Sequence, residues 1–205
     1  MREQFRQQMH ELSDTLVLQA QAAAKAMAGA AASLKDTNLV LAERVIDADH
    51  CIDMLERNID ELGISLLARQ APVAGDLRTV ISALRLSATL ERMGDLARHV
   101  AYVARGRFPH AVVEGDVQEL FEAMAAKAVE VGELVAKLVE TRELSLADQI
   151  IAGDDVLDDL HTRTFSIVLL GRYLERFGDH GVSVAHRMRF LVTGMEADVP
   201  PPTPY

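Results

Sequence analysis

The chain reads as all-α: two tandem antiparallel three-helix bundles related by an internal pseudo-twofold repeat. Three observations predict this. Alanine, leucine, methionine and charged helix formers dominate, while aromatic residues make up only 4% of the 205. No stretch shows the period-2 alternation of a half-buried strand. The chain also repeats itself. Leu90-Glu91-Arg92-Met93-Gly94-Asp95 returns 84 positions later as Leu174-Glu175-Arg176-Phe177-Gly178-Asp179, and the windows Leu86–Ala101 and Leu170–Ala185 agree at 8 of 16 positions. Asn38–Leu55 returns as Glu143–Leu160 with 7 of 18 positions identical, Asp49 and Asp53 falling on Asp154 and Asp158. A repeat of this kind sets the architecture ahead of any single helix.

The breakers place the elements in order. Lys35-Asp36-Thr37-Asn38 closes a long first helix and offers caps for the second. Ala71-Pro72-Val73-Ala74-Gly75-Asp76 ends the second and opens the third, Pro72 barring simple continuation. Gly106-Arg107-Phe108-Pro109-His110 separates the repeats, and Glu140-Thr141-Arg142-Glu143 parts helix four from helix five. Gly194 and the proline-rich end Val199–Tyr205 close the fold in solvated coil. The expected units are 1–108 and 109–196, with a tail at 197–205. Apolar residues at helical spacing mark the bundle core: Ile52, Leu55, Ile59, Leu62 and Leu66 on helix two, and Leu86, Leu90, Met93, Ala97 and Val100 on helix three.

Composition excludes several classes of function. No apolar run reaches the roughly 18 residues of a membrane span. The polar start MREQFRQQMHEL does not resemble a signal peptide. The single cysteine, Cys51, fits a reducing, cytoplasmic setting. A net charge of −10 argues against nucleic acid as partner, since phosphate backbones reward Lys and Arg. It is compatible with cations or with a basic face on a protein.

Four acidic pairs spaced i, i+4 then need explaining: Asp49/Asp53, Glu91/Asp95, Asp154/Asp158 and Glu175/Asp179. Residues four apart share a helix face, where like charges repel by a few tenths of a kcal/mol, roughly, unless a cation sits between them. Two antiparallel helices each carrying such a pair converge four carboxylates on one volume, which is how bundles build multinuclear metal sites. All-oxygen ligands suit iron, manganese or magnesium, with zinc and calcium as further options. The pairs border the apolar stripes, so they belong at the edge of the core. That position equally suits a salt-bridge lattice with Arg92, Arg98, Arg172 and Arg176. His99, four after Asp95, and His50, His161 and His180 are expected as surface hydrogen-bond partners before ligands. Cys51 is expected in buried packing.

Other chemistry lacks its signature. There is no glycine-rich phosphate loop, Gly-x-Ser-x-Gly elbow or Cys-x-x-Cys. A carboxylate-bridged di-iron enzyme of ferritin-like type is the competing reading. It calls for Glu-x-x-His on two helices, and only Asp47-x-x-His50 and Asp158-x-x-His161 come close.

The twin motifs LERMGDLARHVA and LERFGDHGVSVAHRMRFLVTG, the acidic pair ahead of each, and Gln70-Ala71-Pro72-Val73-Ala74-Gly75-Asp76-Leu77-Arg78 together resemble the PhoU family of phosphate-signalling regulators across essentially the whole chain. The resemblance implies a cytoplasmic, non-enzymatic negative regulator of phosphate uptake and of the phosphate-starvation response. It would act as a homodimeric adaptor between the phosphate ABC transporter ATPase and the sensor histidine kinase, meeting the membrane only through partners. It further implies iron, zinc, manganese or magnesium on Asp49, Asp53, Glu91, Asp95, Asp154, Asp158, Glu175 and Asp179. With activity carried by surfaces, the loop residues Asp76 and Arg78 are the expected partner contacts.

Two departures stand out. His99 occupies a position where the family often has Asn. Asp53 and Glu91 are 38 residues apart, but Asp158 and Glu175 only 17. On one continuous helix that spacing parts the acids by about 25 Å. The second site therefore requires a longer loop near 160–170, or the second repeat is shortened and has lost it.

Overall fold

A computed structural model describes residues 2–164, apart from the side chains of Arg2, Gln70 and Asp116. It is helical throughout, with no strand among these residues. The helices are α1 (Arg2–Lys35), α2 (Leu39–Gln70), α3 (Ala74–Arg107) and α4 (Gln118–Thr141), the last preceded by a 3-10 turn at Gly115–Val117. A fifth helix, α5, is present over 145–164. The expected sixth helix, with Glu175 and Asp179, lies outside the described residues, as do 165–170 and the proline-rich tail.

Each boundary has a local cause. Asn38 caps α2 by accepting the amide of Leu41 at 3.1 Å. At its far end the chain turns through Ala71, in the left-handed region at φ 43°, and then Pro72, which cannot supply the next helical N–H. α4 stops where Arg142 turns left-handed (φ 60°) and returns its amide to Leu138 O at 2.8 Å.

α1, α2 and α3 pack on one another as an antiparallel three-helix bundle, and α4 lies along α1. The chain forms a compact unit through Leu160; the next begins at His161, of which only four helical residues are described. The boundary expected at 108/109 thus parts the sequence repeats, whereas the first compact unit continues past it. The bundle core has two halves of different character. Ala23, Ala26, Ala30, Ala42, Val45, Ile52, Ala97, Ala101 and Ala104 fill one; Leu12, Leu16, Ala20, Ile59, Leu66, Val80, Ala83 and Leu90 fill the other. Small residues in the first half draw the helices close together. Of the predicted core stripe on α3, Leu90 and Ala97 are buried, but Leu86 is 44% exposed. It stands at the edge of the α1–α3 contact and lines an open cleft instead.

Candidate functional site

The first-repeat acids lie where α2 and α3 meet, on the alanine-rich half of the bundle. Their approach depends on Gly94. A Cβ there would come within 2.7 Å of Ile52 Cδ1 and 3.6 Å of Asp49 Oδ1. The glycine of Leu-Glu-Arg-Met-Gly-Asp therefore lets α2 rest on α3 one residue before Asp95.

Asp49 is only 5% exposed, deeper than a position bordering the core suggests. Its carboxylate accepts from Nη1 of Arg98, and Nη2 of the same guanidinium donates to Asp95 Oδ1 at 2.5 Å. Of the arginines expected in a salt-bridge lattice, Arg98 forms one and Arg92 stays exposed without an ion pair among the described residues. Burial is the main force holding the Asp49 carboxyl above its ordinary pKa; Arg98 pulls against it, and Asp53 and Asp95 push it further up. Burial works against the charge on Arg98 too, but Asp49 and Asp95 outweigh it and hold its pKa above the ordinary value. Glu91 is raised by burial, then by Asp95 and Glu56. Glu56 is raised by burial, then by Asp60 and Asp53. The mutual influence of these acids marks one cluster. Its α2 row is Asp49, Asp53, Glu56 and Asp60, at i, i+4, i+7 and i+11. Sequence reasoning on i, i+4 pairs passed over Glu56 and Asp60; following the row through a third helical turn would have found them.

The donor set is right for a hard cation, but the arrangement is not. A guanidinium already stands between Asp49 and Asp95, and no three His, Cys, Asp or Glu residues are gathered to hold a metal ion among the described residues. In the second repeat Asp154 and Asp158 are exposed on α5, and Glu175 and Asp179 fall outside the described residues. His50 and His99 are exposed, and His99 lies beside Tyr102 with ring centroids 6.4 Å apart. Cys51, expected in buried packing, is exposed: it shares the solvent face of α2 with Arg44, Asp47, Met54 and Asn58.

The partner-contact residues lie elsewhere. Asp76 and Arg78, in the first turns of α3, are exposed on the rim of a cleft of about 1100 Å³ between α1, α3 and the end of α4. Arg6, His10, Arg142 and Leu86 line it as well. From Arg78 a basic row runs down the outward face of α3. Arg78, Arg85 and Arg92 are exposed, seven residues apart, and none is ion-paired among the described residues. Seven residues are close to two turns, so the three guanidinium groups share a face at steps of about 10.5 Å. Leu96 and Val103, 60% and 52% exposed, continue that face.

Comparison with known proteins bears on the whole chain. Residues 16–104, spanning the bundle and the cluster, match the PhoU domain model. The phosphate-specific transport system accessory protein PhoU homolog 2 of Mycobacterium tuberculosis is 39% identical over 210 positions, covering 95% of this chain and 99% of that protein. Homolog 1 of Mycobacterium leprae is also 39% identical over 210, at 95% coverage of both. Since 95% of 205 residues is fewer than 210 positions, both alignments open gaps in this chain. The crystal structure of PhoU from Pseudomonas aeruginosa superposes with a TM-score of 0.72 at 26% identity, covering 93% of this chain and 100% of that one. With the twin motifs, the helical bundle and these relatives in agreement, the chain belongs to the PhoU family.

Proposed function

We propose that this protein is a cytoplasmic negative regulator of phosphate uptake and of the phosphate-starvation response. It acts as an adaptor between the phosphate ABC transporter ATPase and the sensor histidine kinase, and works as a homodimer. Relatives named as accessory proteins of the phosphate-specific transport system, rather than as enzymes, support the reading. No helix among the described residues is long and apolar enough to cross a membrane, which suits a protein that reaches the transporter through a partner.

The observation that carries the adaptor reading is the exposed basic row Arg78–Arg85–Arg92, without an ion pair among the described residues, on a chain whose net charge is −10. Solvated arginines in register on one face, continued by exposed Leu96 and Val103, suit docking against an acidic, partly apolar surface. Capture of the purified transporter ATPase on the immobilised protein tests it. Arg78→Glu combined with Arg85→Glu should lower affinity at least tenfold while the helical circular dichroism is unchanged. Wild-type capture by the double variant rejects this face as the contact, and failure of the wild-type protein to capture the ATPase rejects the ATPase as partner.

A further inference from the structure

The family resemblance implies a metal ion on the carboxylates of α2 and α3, yet this chain supplies a cation of its own at that place. Arg98 reaches across the helix pair with its two terminal nitrogens divided between helices, Nη1 to Asp49 on α2 and Nη2 to Asp95 on α3. Those are the acids, one from each helix, that an ion bridging the pair would draw on. The neck of the guanidinium lies dry: Nε is buried with no hydrogen-bond partner among the described residues. A fork that spends its ends on two carboxylates and leaves its neck dry is positioned by the carboxylates.

We propose that Arg98 is the resident counter-ion of the α2–α3 carboxylate cluster, standing where a bridging metal ion would sit, so that the guanidinium and a divalent cation exclude one another. The reason is geometric and electrostatic. Arg98 takes one oxygen of each carboxylate, Asp49 Oδ2 and Asp95 Oδ1, and fills the space between the helices that a bridging metal would have to share. Two cations a few ångströms apart beside a carboxylate only 5% exposed would repel strongly, because solvent screening is poor there. Gly94 sets the spacing, since a side chain in its place would press Ile52 away from α3. The inference does not depend on which proteins the chain meets.

The test uses the full chain, stripped with EDTA and titrated with Mn²⁺ by calorimetry, with the melting temperature followed in parallel. Four proteins suffice: wild type, Arg98→Met, Asp95→Asn and the double variant Arg98→Met/Asp95→Asn. Methionine keeps much of the length of arginine and removes its charge. Arg98→Met should bind Mn²⁺ at least tenfold more tightly than wild type and melt higher when Mn²⁺ is present. Asp95→Asn should abolish that gain in the double variant and leave the Mn²⁺ binding of wild type unchanged. This comparison isolates the α2–α3 cluster from the acids of the second repeat. If Arg98→Met fails to fold, Arg98→Gln takes its place with the same expected gain. The proposal is overturned if removing the charge brings no gain, or if Asp95→Asn weakens Mn²⁺ binding tenfold or more in the presence of Arg98.

Discussion

Arg98 and Asp49, 49 positions apart in the chain, form a side-chain ion pair that ties α3 to α2. Its two ends are unequally placed: the Asp49 side chain is 6% exposed and that of Arg98 27%. Removing the arginine strands a buried carboxylate, whereas removing the carboxylate frees an arginine that can turn to water. Arg98→Met should therefore cost about 1–3 kcal/mol, less than the roughly 3–5 kcal/mol for breaking a fully buried pair, because Arg98 and Asp95 keep some solvent. Asp49→Asn in the same background should recover part of the loss. A double-mutant cycle by urea denaturation in EDTA measures the coupling; a value near zero would show that the pair stabilises nothing.

The cluster also predicts a dependence on pH. Glu91 has its folded-state pKa raised by burial and by the nearby acids Asp95 and Glu56. The folded protein then binds that proton more readily than the unfolded chain, so stability falls as pH rises through the raised value. At neutral pH the charged Glu91 is a net cost. In EDTA, Glu91→Gln should melt higher than wild type at pH 7, and the difference should vanish as pH falls through the carboxylate range. A melting temperature lowered by this substitution at pH 7 would contradict the assignment.

A second buried polar pair sits deeper. Gln19 on α1 donates from Nε2 to the backbone carbonyl of Ser87 on α3 at 3.1 Å, and both residues are fully buried. Gln19 Oε1 and Ser87 Oγ have no partner among the described residues. A buried hydroxyl without a partner contributes desolvation cost and little else. Ser87→Ala should thus change stability by less than about 1 kcal/mol, in the stabilising direction if at all. Gln19→Ala loses the hydrogen bond and opens a cavity, and should cost about 2–4 kcal/mol. Thermal melts of the two variants check the contrast.

Much of this was legible in the sequence. The repeat and the apolar spacing placed α1 to α4 and the start of α5, because Asn38, Pro72 and the break at Thr141-Arg142 act locally, where sequence is explicit. The acids' position beside the core was legible for the same reason. What remained hidden depends on distance across the bundle. Arg98, three residues after Asp95 and seven after Glu91, shares their face of α3, whereas Arg92 points about 120° away from Arg98 round the helix. That Arg98 also reaches Asp49 is resolved only by where α2 rests. Glu56 was legible as the next member of the Asp49/Asp53 row, but its influence on Glu91 crosses from α2 to α3, a relation no single-helix spacing reveals. Leu86 reads as core by period alone, yet it fronts a cleft because no helix covers it there.

Gly94 offers the sharpest test of how the motif works. In most exposed helix interiors, replacing glycine with alanine stabilises by about 1 kcal/mol. Gly75, the second residue of α3, has nothing within 4 Å of an added Cβ, and Gly75→Ala should show a gain of up to about 1 kcal/mol. At Gly94 the same methyl group meets Ile52 Cδ1 at 2.7 Å and Cγ2 at 3.3 Å. The Cδ1 end can swing away, but Cγ2 is fixed by the β-branch and cannot. Overpacking of this kind costs roughly 1–3 kcal/mol, enough to cancel the propensity gain and reverse its sign. Gly94→Ala should therefore melt below wild type while Gly75→Ala melts at or above it. Ile52→Ala, which removes the offending atoms, should make Gly94→Ala less costly in the double variant than in wild type. Equal gains at both glycines would mean that α2 does not rest on α3 at Gly94, and that the close approach on which the Arg98 bridge depends is absent.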